Sequence, residues 1–284
     1  MNREGEPMWP RSVLLVSPDH FRIEYAINPF MLEPNGRLRK VDKYRAKIQW
    51  NTLKALYQEL GLAMEILESD PEHPDMVFCA NQMLPIIEPS GSKSVVLGRM
   101  NSPERQGEVK HFRHWAESQG LTIYQVTDFA FEGAGDAIWN FETMELFGGY
   151  GFRSDVRVYD FIEKLIQRPI QRLELCDPNF YHLDTCFAIL NGDTAVYVEE
   201  AFDRDGLRTL TNSFKNLIRI GREEAISTLA ANCFSPNGKD VLINAGAKDL
   251  SQKLRRLGFI IHEVDTSEFN KAGGSVFCLK QALF

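Results

Sequence analysis

The feature that most constrains this chain is a recurring unit: an apolar strand, an amphipathic helix, a glycine that ends the helix, and a second apolar strand. The first copy opens with a strand at Val13–Val16 and continues with a helix at about Asp42–Leu60. That helix places Ala46, Trp50, Leu53, Leu56 and Leu60 at three- and four-residue spacing. Gly61 can take the left-handed position that closes a helix, and Ala63–Leu67 reads as the next strand. The second copy runs through Val95–Leu97, Glu108–Gln119, Gly120 and Leu121–Val126. The third, which lacks the glycine, is Leu146–Phe147, Val156–Gln167 and Leu173–Leu175. The fourth is Ala195–Val198, Leu207–Phe214 and Leu217–Ile220, and the fifth Val241–Asn244, Lys248–Leu257, Gly258 and Phe259–Val264. Five units of similar size, with no Gly/Ser- or Pro-rich linker between them, predict one α/β fold closing on itself over residues 1–284. The alternative, an open doubly wound sheet, requires a glycine fingerprint after the first strand, which is missing. The Gly133-Ala134-Gly135 triplet is too short to replace it.

Charge narrows the partners. The net charge of −7 argues against a nucleic-acid partner and suits a small cationic ligand. No stretch reaches the about 18 uninterrupted apolar residues of a membrane span, so no membrane partner is expected. The opening MNREGEPMWPRS has no signal-peptide core, and the expected location is the cytoplasm. The five cysteines (Cys79, Cys176, Cys186, Cys233, Cys278) are odd in number and lack CxxC spacing, so neither a disulfide framework nor a zinc-cysteine site is expected. His111 and His114 are three apart on a helix, but no third ligand is evident beside them, and Lys110 and Arg113 oppose a cation. His20, His73 and His262 have no partner pattern. No metal and no cofactor are therefore expected, and nothing in the sequence specifies an oligomeric state.

Chemistry-bearing residues concentrate in a few segments: Phe131-Glu132-Gly133-Ala134-Gly135-Asp136, Phe180-Tyr181-His182-Leu183-Asp184-Thr185, and Lys271 to Cys278. A fourth, Pro74–Asn81, reads as a strand ending in polar residues. In extended backbone His182 and Asp184 share a face, so both can line one cavity. Glu132 and Asp136 flank small residues that let backbone approach a ligand closely. Gly273 and Gly274 lead tightly into a short, nearly C-terminal strand bearing Cys278. Each feature alone has a plainer explanation, such as a strand-end histidine, a capped turn or a core thiol. A cysteine with a distant histidine and an acid is the general pattern of covalent cysteine catalysis, though it is not specific to one reaction.

Taken together, these segments resemble the guanidine-modifying superfamily of arginine deiminases, dimethylarginine dimethylaminohydrolases, amidinotransferases and arginine dihydrolases. The resemblance runs from Ser17-Pro18-Asp19-His20-Phe21 and Ile27-Asn28-Pro29-Phe30-Met31 through PDMVFCAN, PERQGE, FEGAGD, GYGFR and FYHLDTCF to EFNKAGGSVFCL. Within the superfamily the chain is most similar to the arginine dihydrolase domain. That resemblance implies a five-bladed α/β propeller (pentein) of five ββαβ-like units with its site at the centre. It implies Cys278 as nucleophile, His182 as general acid/base and Glu132 as its acidic partner. It further implies that Asp184 and Asn81 hold the guanidinium, that Arg105 and Arg153 meet the substrate carboxylate, and that Asn28 and Asp136 are substrate-side residues. The implied partner is arginine or a close guanidino analogue. Deiminase, dimethylarginine hydrolase and amidinotransferase activities are the rivals, with a non-catalytic binding protein on the same fold as a different class. Gln82-Met83, after Asn81, departs from the smaller residues of the dihydrolases.

Overall fold

The computed structural model describes residues 7–284. The strand–helix–strand units fold as five small sheets, each containing a parallel pair joined through helical chain. In the first sheet β1 (Ser12–Val16) lies parallel to β2 (Ala63–Leu67), joined through the helix Lys43–Glu59. The Asp42 side chain accepts from the Arg45 amide at 3.0 Å and so starts that helix, while Gly61, at φ 78°, turns the chain back. Ala46, Trp50, Leu53 and Tyr57 form its buried face.

The second sheet has the order β3 (Met83–Ile87), β4 (Lys93–Leu97) and β5 (Thr122–Gln125). The third comprises β6 (Ala137–Trp139), β7 (Leu146–Tyr150) and β8 (Ile170–Glu174). The fourth holds β9 (Phe187–Ile189), β10 (Thr194–Tyr197) and β11 (Asn216–Arg219), and the fifth β12 (Asp240–Asn244) and β13 (Ile260–Val264). In sheets two to four a short antiparallel strand precedes the parallel pair. In the fifth it shrinks to the single bridge Phe234↔Leu242. The first sheet takes its antiparallel strand from the other end of the chain: β14 (Gln281–Leu283) pairs with β1. The two ends of the described chain are thereby joined in one sheet. In the third unit, which lacks a terminating glycine, Gln167 itself adopts the left-handed conformation at φ 52°.

Two expectations are corrected. Pro74–Asn81 is not a strand: Pro74–Val77 forms a 3₁₀ turn, and the strand begins only at Met83. The proline ring sets the φ angle of a helical first turn, and Asp75, Met76 and Val77 are all buried within it. Cys278 is likewise not in a strand but in the turn that precedes β14. No helix among the described residues is long and apolar enough to cross a membrane.

Candidate active site

The turns at one end of the sheets bring the polar segments together. After the short helix Ser267–Asn270 the chain reverses at Gly273, whose φ of 87° suits glycine; a Cβ there would press on Asn28. The Gly273 carbonyl accepts the Tyr181 hydroxyl at 2.7 Å. The rest of the turn is held by one side chain, Asn232. Its Oδ1 accepts from the amides of Ser275 (3.0 Å) and Cys278 (3.1 Å), and its Nδ2 donates to Cys278 Sγ at 3.1 Å and to the Asp184 carbonyl at 2.9 Å. A single amide thus fixes the thiol from both its backbone and its sulfur.

Cys278 Sγ donates to Asp184 Oδ2 at 3.1 Å. Burial pushes the thiol well above its ordinary range, and the Asp184 charge adds to the rise. Burial also raises the Asp184 carboxyl, to about 7, against the stabilising hydrogen bond from Cys278. Burial thus opposes ionisation of both groups. A cation placed beside them would counter that opposition.

His182 has extended backbone geometry, and its Nε2 lies 2.6 Å from Glu132 Oε2. Burial drives the Glu132 carboxyl upward, but its hydrogen bond to His182 and the charges of His182, Arg153 and Arg105 outweigh this and hold it at about 2. Arg153 Nη1 is 3.3 Å from the same carboxylate, and its Nη2 donates to the Ile27 carbonyl at 2.6 Å. The Arg153 guanidinium also lies 4.9 Å from the centre of the Tyr181 ring.

Arg105 is deeply engaged. Nε and Nη2 grip Glu108, Nη2 also faces the carbonyls of Asp75 and Phe78, and Nη1 donates to Asn81 Oδ1 at 2.9 Å. It cannot offer a free bidentate fork to a carboxylate, as the sequence reading allowed. Gln82 Nε2 donates to Glu108 Oε2 at 2.5 Å, so Gln82 helps hold the acid that holds Arg105. Asn81 Oδ1 is pinned by Arg105, whereas its Nδ2 is buried without a partner and lies against Gly135, where a Cβ would overlap it.

The cavity between these groups is tightly closed, with about 10 Å³ of free space. Cys278, His182, Asn81, Arg105, Arg153 and Asn28 line it, with Asp184 and Glu132 directly behind Cys278 and His182. Asn28 caps the turn at Phe30 and donates to the Ala272 carbonyl, tying its loop to the Cys278 turn.

Asp136 is corrected. It does not line the cavity: its Oδ1 accepts the Leu183 amide at 3.0 Å and its Oδ2 the Ser154 hydroxyl at 2.6 Å. It is a strap holding the backbone between His182 and Asp184. Two residues were not singled out from sequence. Asn232 carries no motif of its own. Asp75 lines the cavity with both carboxylate oxygens buried and unpartnered, and burial raises its carboxyl to about 7. A helical reading of Pro74–Val77 would have turned Asp75 toward notice. A larger groove of about 520 Å³ near Met8, Trp139 and Arg168 contains neither cysteine nor histidine.

A fold of small α/β sheets with a buried thiol, imidazole and carboxylates around one cavity suits a covalent amidine enzyme. The family model described as N,N dimethylarginine dimethylhydrolase, eukaryotic, matches residues 17–284, and the chain belongs to that family within the guanidine-modifying superfamily. The bifunctional arginine dihydrolase/ornithine cyclodeaminase ArgZ of Synechocystis sp. is 37% identical over 94% of this chain, which spans 37% of that longer protein. The N(G),N(G)-dimethylarginine dimethylaminohydrolase of Mycobacterium tuberculosis is 34% identical, covering 94% of this chain and 84% of that one. Among solved structures, the substrate-bound N-terminal domain of ArgZ, an arginine dihydrolase of cyanobacteria, superposes with a TM-score of 0.88 at 35% identity, over 96% of this chain and 97% of that domain.

Proposed function

We propose that this chain is a single catalytic domain that hydrolyses the guanidinium group of L-arginine twice, yielding ornithine, two ammonia and carbon dioxide. The observation that carries the reading is the Cys278–Asp184 pair, two hydrogen-bonded acids whose ionisation burial opposes, in a small cavity whose other walls include the unpartnered carboxylate of Asp75. A guanidinium supplies the positive charge this wall lacks, favouring the Cys278 thiolate and the Asp184 carboxylate together. Asp184 then accepts hydrogen bonds from the guanidinium and holds its plane for attack.

The Cys278 thiolate adds to the guanidinium carbon. His182, oriented by Glu132, protonates the departing nitrogen as ammonia and later takes a proton from the attacking water. Hydrolysis of the adduct leaves a ureido group. A second addition of Cys278 to that carbon releases a second ammonia, and water then frees ornithine and carbon dioxide. Asp75 suits the substrate α-ammonium, and Arg153, with the remaining Nη1 hydrogen of Arg105, suits the α-carboxylate. No step needs a cofactor.

Pairing of β14 with β1 supports a five-bladed α/β propeller closed by its own termini, with this cavity at its centre. The five unpaired cysteines suit a reducing compartment such as the cytoplasm. Hydrolysis of methylated arginine is the second reading, favoured by the near full-length match to the mycobacterial dimethylaminohydrolase. Product analysis after incubation with arginine or dimethylarginine separates the two. Ornithine and two equivalents of ammonia from arginine support the dihydrolase. Citrulline and dimethylamine from dimethylarginine, with arginine untouched, would replace it.

A further inference from the structure

We propose that Asp70, His73 and His111 form a binding site for one divalent transition-metal ion of the zinc type, separate from the active site. Asp70 and His73 lie in the loop after β2, and His111 lies in the first turn of the helix Val109–Ser118. Folding brings one ligand atom of each within 4.8 Å of the others, with all three residues half-buried. His114, weighed with His111 from sequence and set aside, is exposed and outside the cluster. The third ligand absent from the helix is thus supplied by a different element.

Asp70 Oδ1 accepts from the Glu72 amide at 2.9 Å and Oδ2 is hydrogen-bonded to His111 Nε2 at 2.9 Å, a bond that a bound ion would replace. One detail points to a ligand. His73 Nδ1 is shut off from solvent with no hydrogen-bond partner, which is uncommon for a buried polar atom. The His73 ring is lodged against Gly107, where a Cβ would overlap it, and its centre is 5.9 Å from that of His111. Bonds of about 2.0–2.1 Å in tetrahedral geometry separate ligand atoms by about 3.3 Å, so small side-chain rotations suffice. Two imidazoles and one carboxylate oxygen match zinc with water in the fourth position. Magnesium and calcium require more oxygen ligands. Lys110 Nζ is 3.8 Å from the same Asp70 oxygen and competes for it, but its side chain is exposed and can swing away.

The position matters for the active site. His73 starts the turn that carries Asp75, and Glu108, which grips Arg105, immediately precedes the helix of His111. A bound ion would fasten together the two segments that present Asp75 and Arg105 to the cavity.

The test is zinc titration of the full chain carrying Cys278→Ser, which removes the active-site thiol as a competing ligand. One Zn²⁺ per chain is expected, with a rise in Tm, and no binding of Mg²⁺ at the same concentration. Adding His111→Ala or Asp70→Asn should weaken zinc binding at least about tenfold and remove the Tm rise. Adding Lys110→Ala should tighten it. His73 is wedged against backbone, so its substitution risks folding; the other variants avoid that, and their circular dichroism without zinc checks the fold. Absence of zinc binding, or binding undiminished by His111→Ala and Asp70→Asn, would overturn the proposal.

Discussion

The replacement Asn81→Asp probes what separates one hydrolysis from two. In the free site Asn81 Oδ1 accepts from Arg105 Nη1 at 2.9 Å, and Nδ2 is a buried donor without an acceptor. Because Arg105 offers only donors, the amide cannot flip without facing N–H to N–H. The remaining lone pair of Oδ1 can accept from a guanidinium, while Nδ2 can donate to a ureido oxygen after the first hydrolysis. Aspartate keeps the Arg105 contact and the size of the side chain but turns that donor into an acceptor. It still suits arginine but meets the ureido oxygen lone pair to lone pair. A buried hydrogen bond lost with its acceptor left unsatisfied costs about 1–3 kcal/mol, or roughly five- to 150-fold in retention of the ureido intermediate. Arginine consumption should therefore persist in Asn81→Asp while citrulline accumulates and the ammonia released per arginine falls from two toward one. Following arginine, citrulline and ornithine by chromatography, with an enzymatic ammonia assay, measures this directly. Unchanged ornithine formation by the variant would refute the role of Nδ2. Wild-type enzyme that stops at citrulline would sink the dihydrolase reading itself.

Cys278→Ser should abolish turnover, whereas serine at Cys79, Cys176, Cys186 or Cys233 should leave substantial activity; acid-quenched mass spectrometry should find the adduct only on the Cys278 peptide. Agmatine, which lacks the α-carboxylate, should lose about tenfold or more in kcat/KM relative to arginine, since a charge-assisted bond contributes roughly 1.5–3 kcal/mol; equal use of both would assign Arg153 to structure. Asp75→Asn should raise Tm at pH 8 and raise KM for arginine. Its carboxyl is held at about 7 by burial, above the unfolded value of 3.8, so the penalty of ionising it grows between those values and is complete above the folded one. The Tm gain should accordingly shrink at pH 5 and vanish below the unfolded pKa; a gain independent of pH would mean that its charge is not the cause.

Much of the fold was legible because parallel strands joined by an amphipathic helix leave a clear pattern. Of the positions read as the apolar face of the first helix, Ala46, Trp50 and Leu53 are buried while Leu56 and Leu60 are half-buried, and Gly61, Gly120 and Gly258 each end a helix of a different unit at positive φ. The antiparallel strands were missed for a physical reason. Met83–Ile87 is buried on both faces for most of its length, so it lacks alternation, and Ala137–Trp139 and Phe187–Ile189 have only three residues each. The third helix was expected to end at Gln167 without a glycine, and Gln167 itself closes it in the left-handed conformation.

The sequence by itself determined the five strand–helix–strand units, the likeness to guanidine-modifying enzymes, and the short polar segments that carry Cys278, His182, Glu132 and Asp184. These are local or compositional properties, written in periodicity and short motifs. Only the tertiary structure decided how those side chains are used. Asp184 meets the Cys278 thiol across 94 positions of chain, Asp136 straps the backbone rather than facing the cavity, and Arg105 is consumed largely by Glu108. Asn232 and Asp75 acquire their places beside the thiol and in the cavity wall from the same packing. Hydrogen bonds between distant segments depend on where sheets place their ends, and a buried carboxylate acts according to its neighbours; neither is encoded in the residues on either side of it.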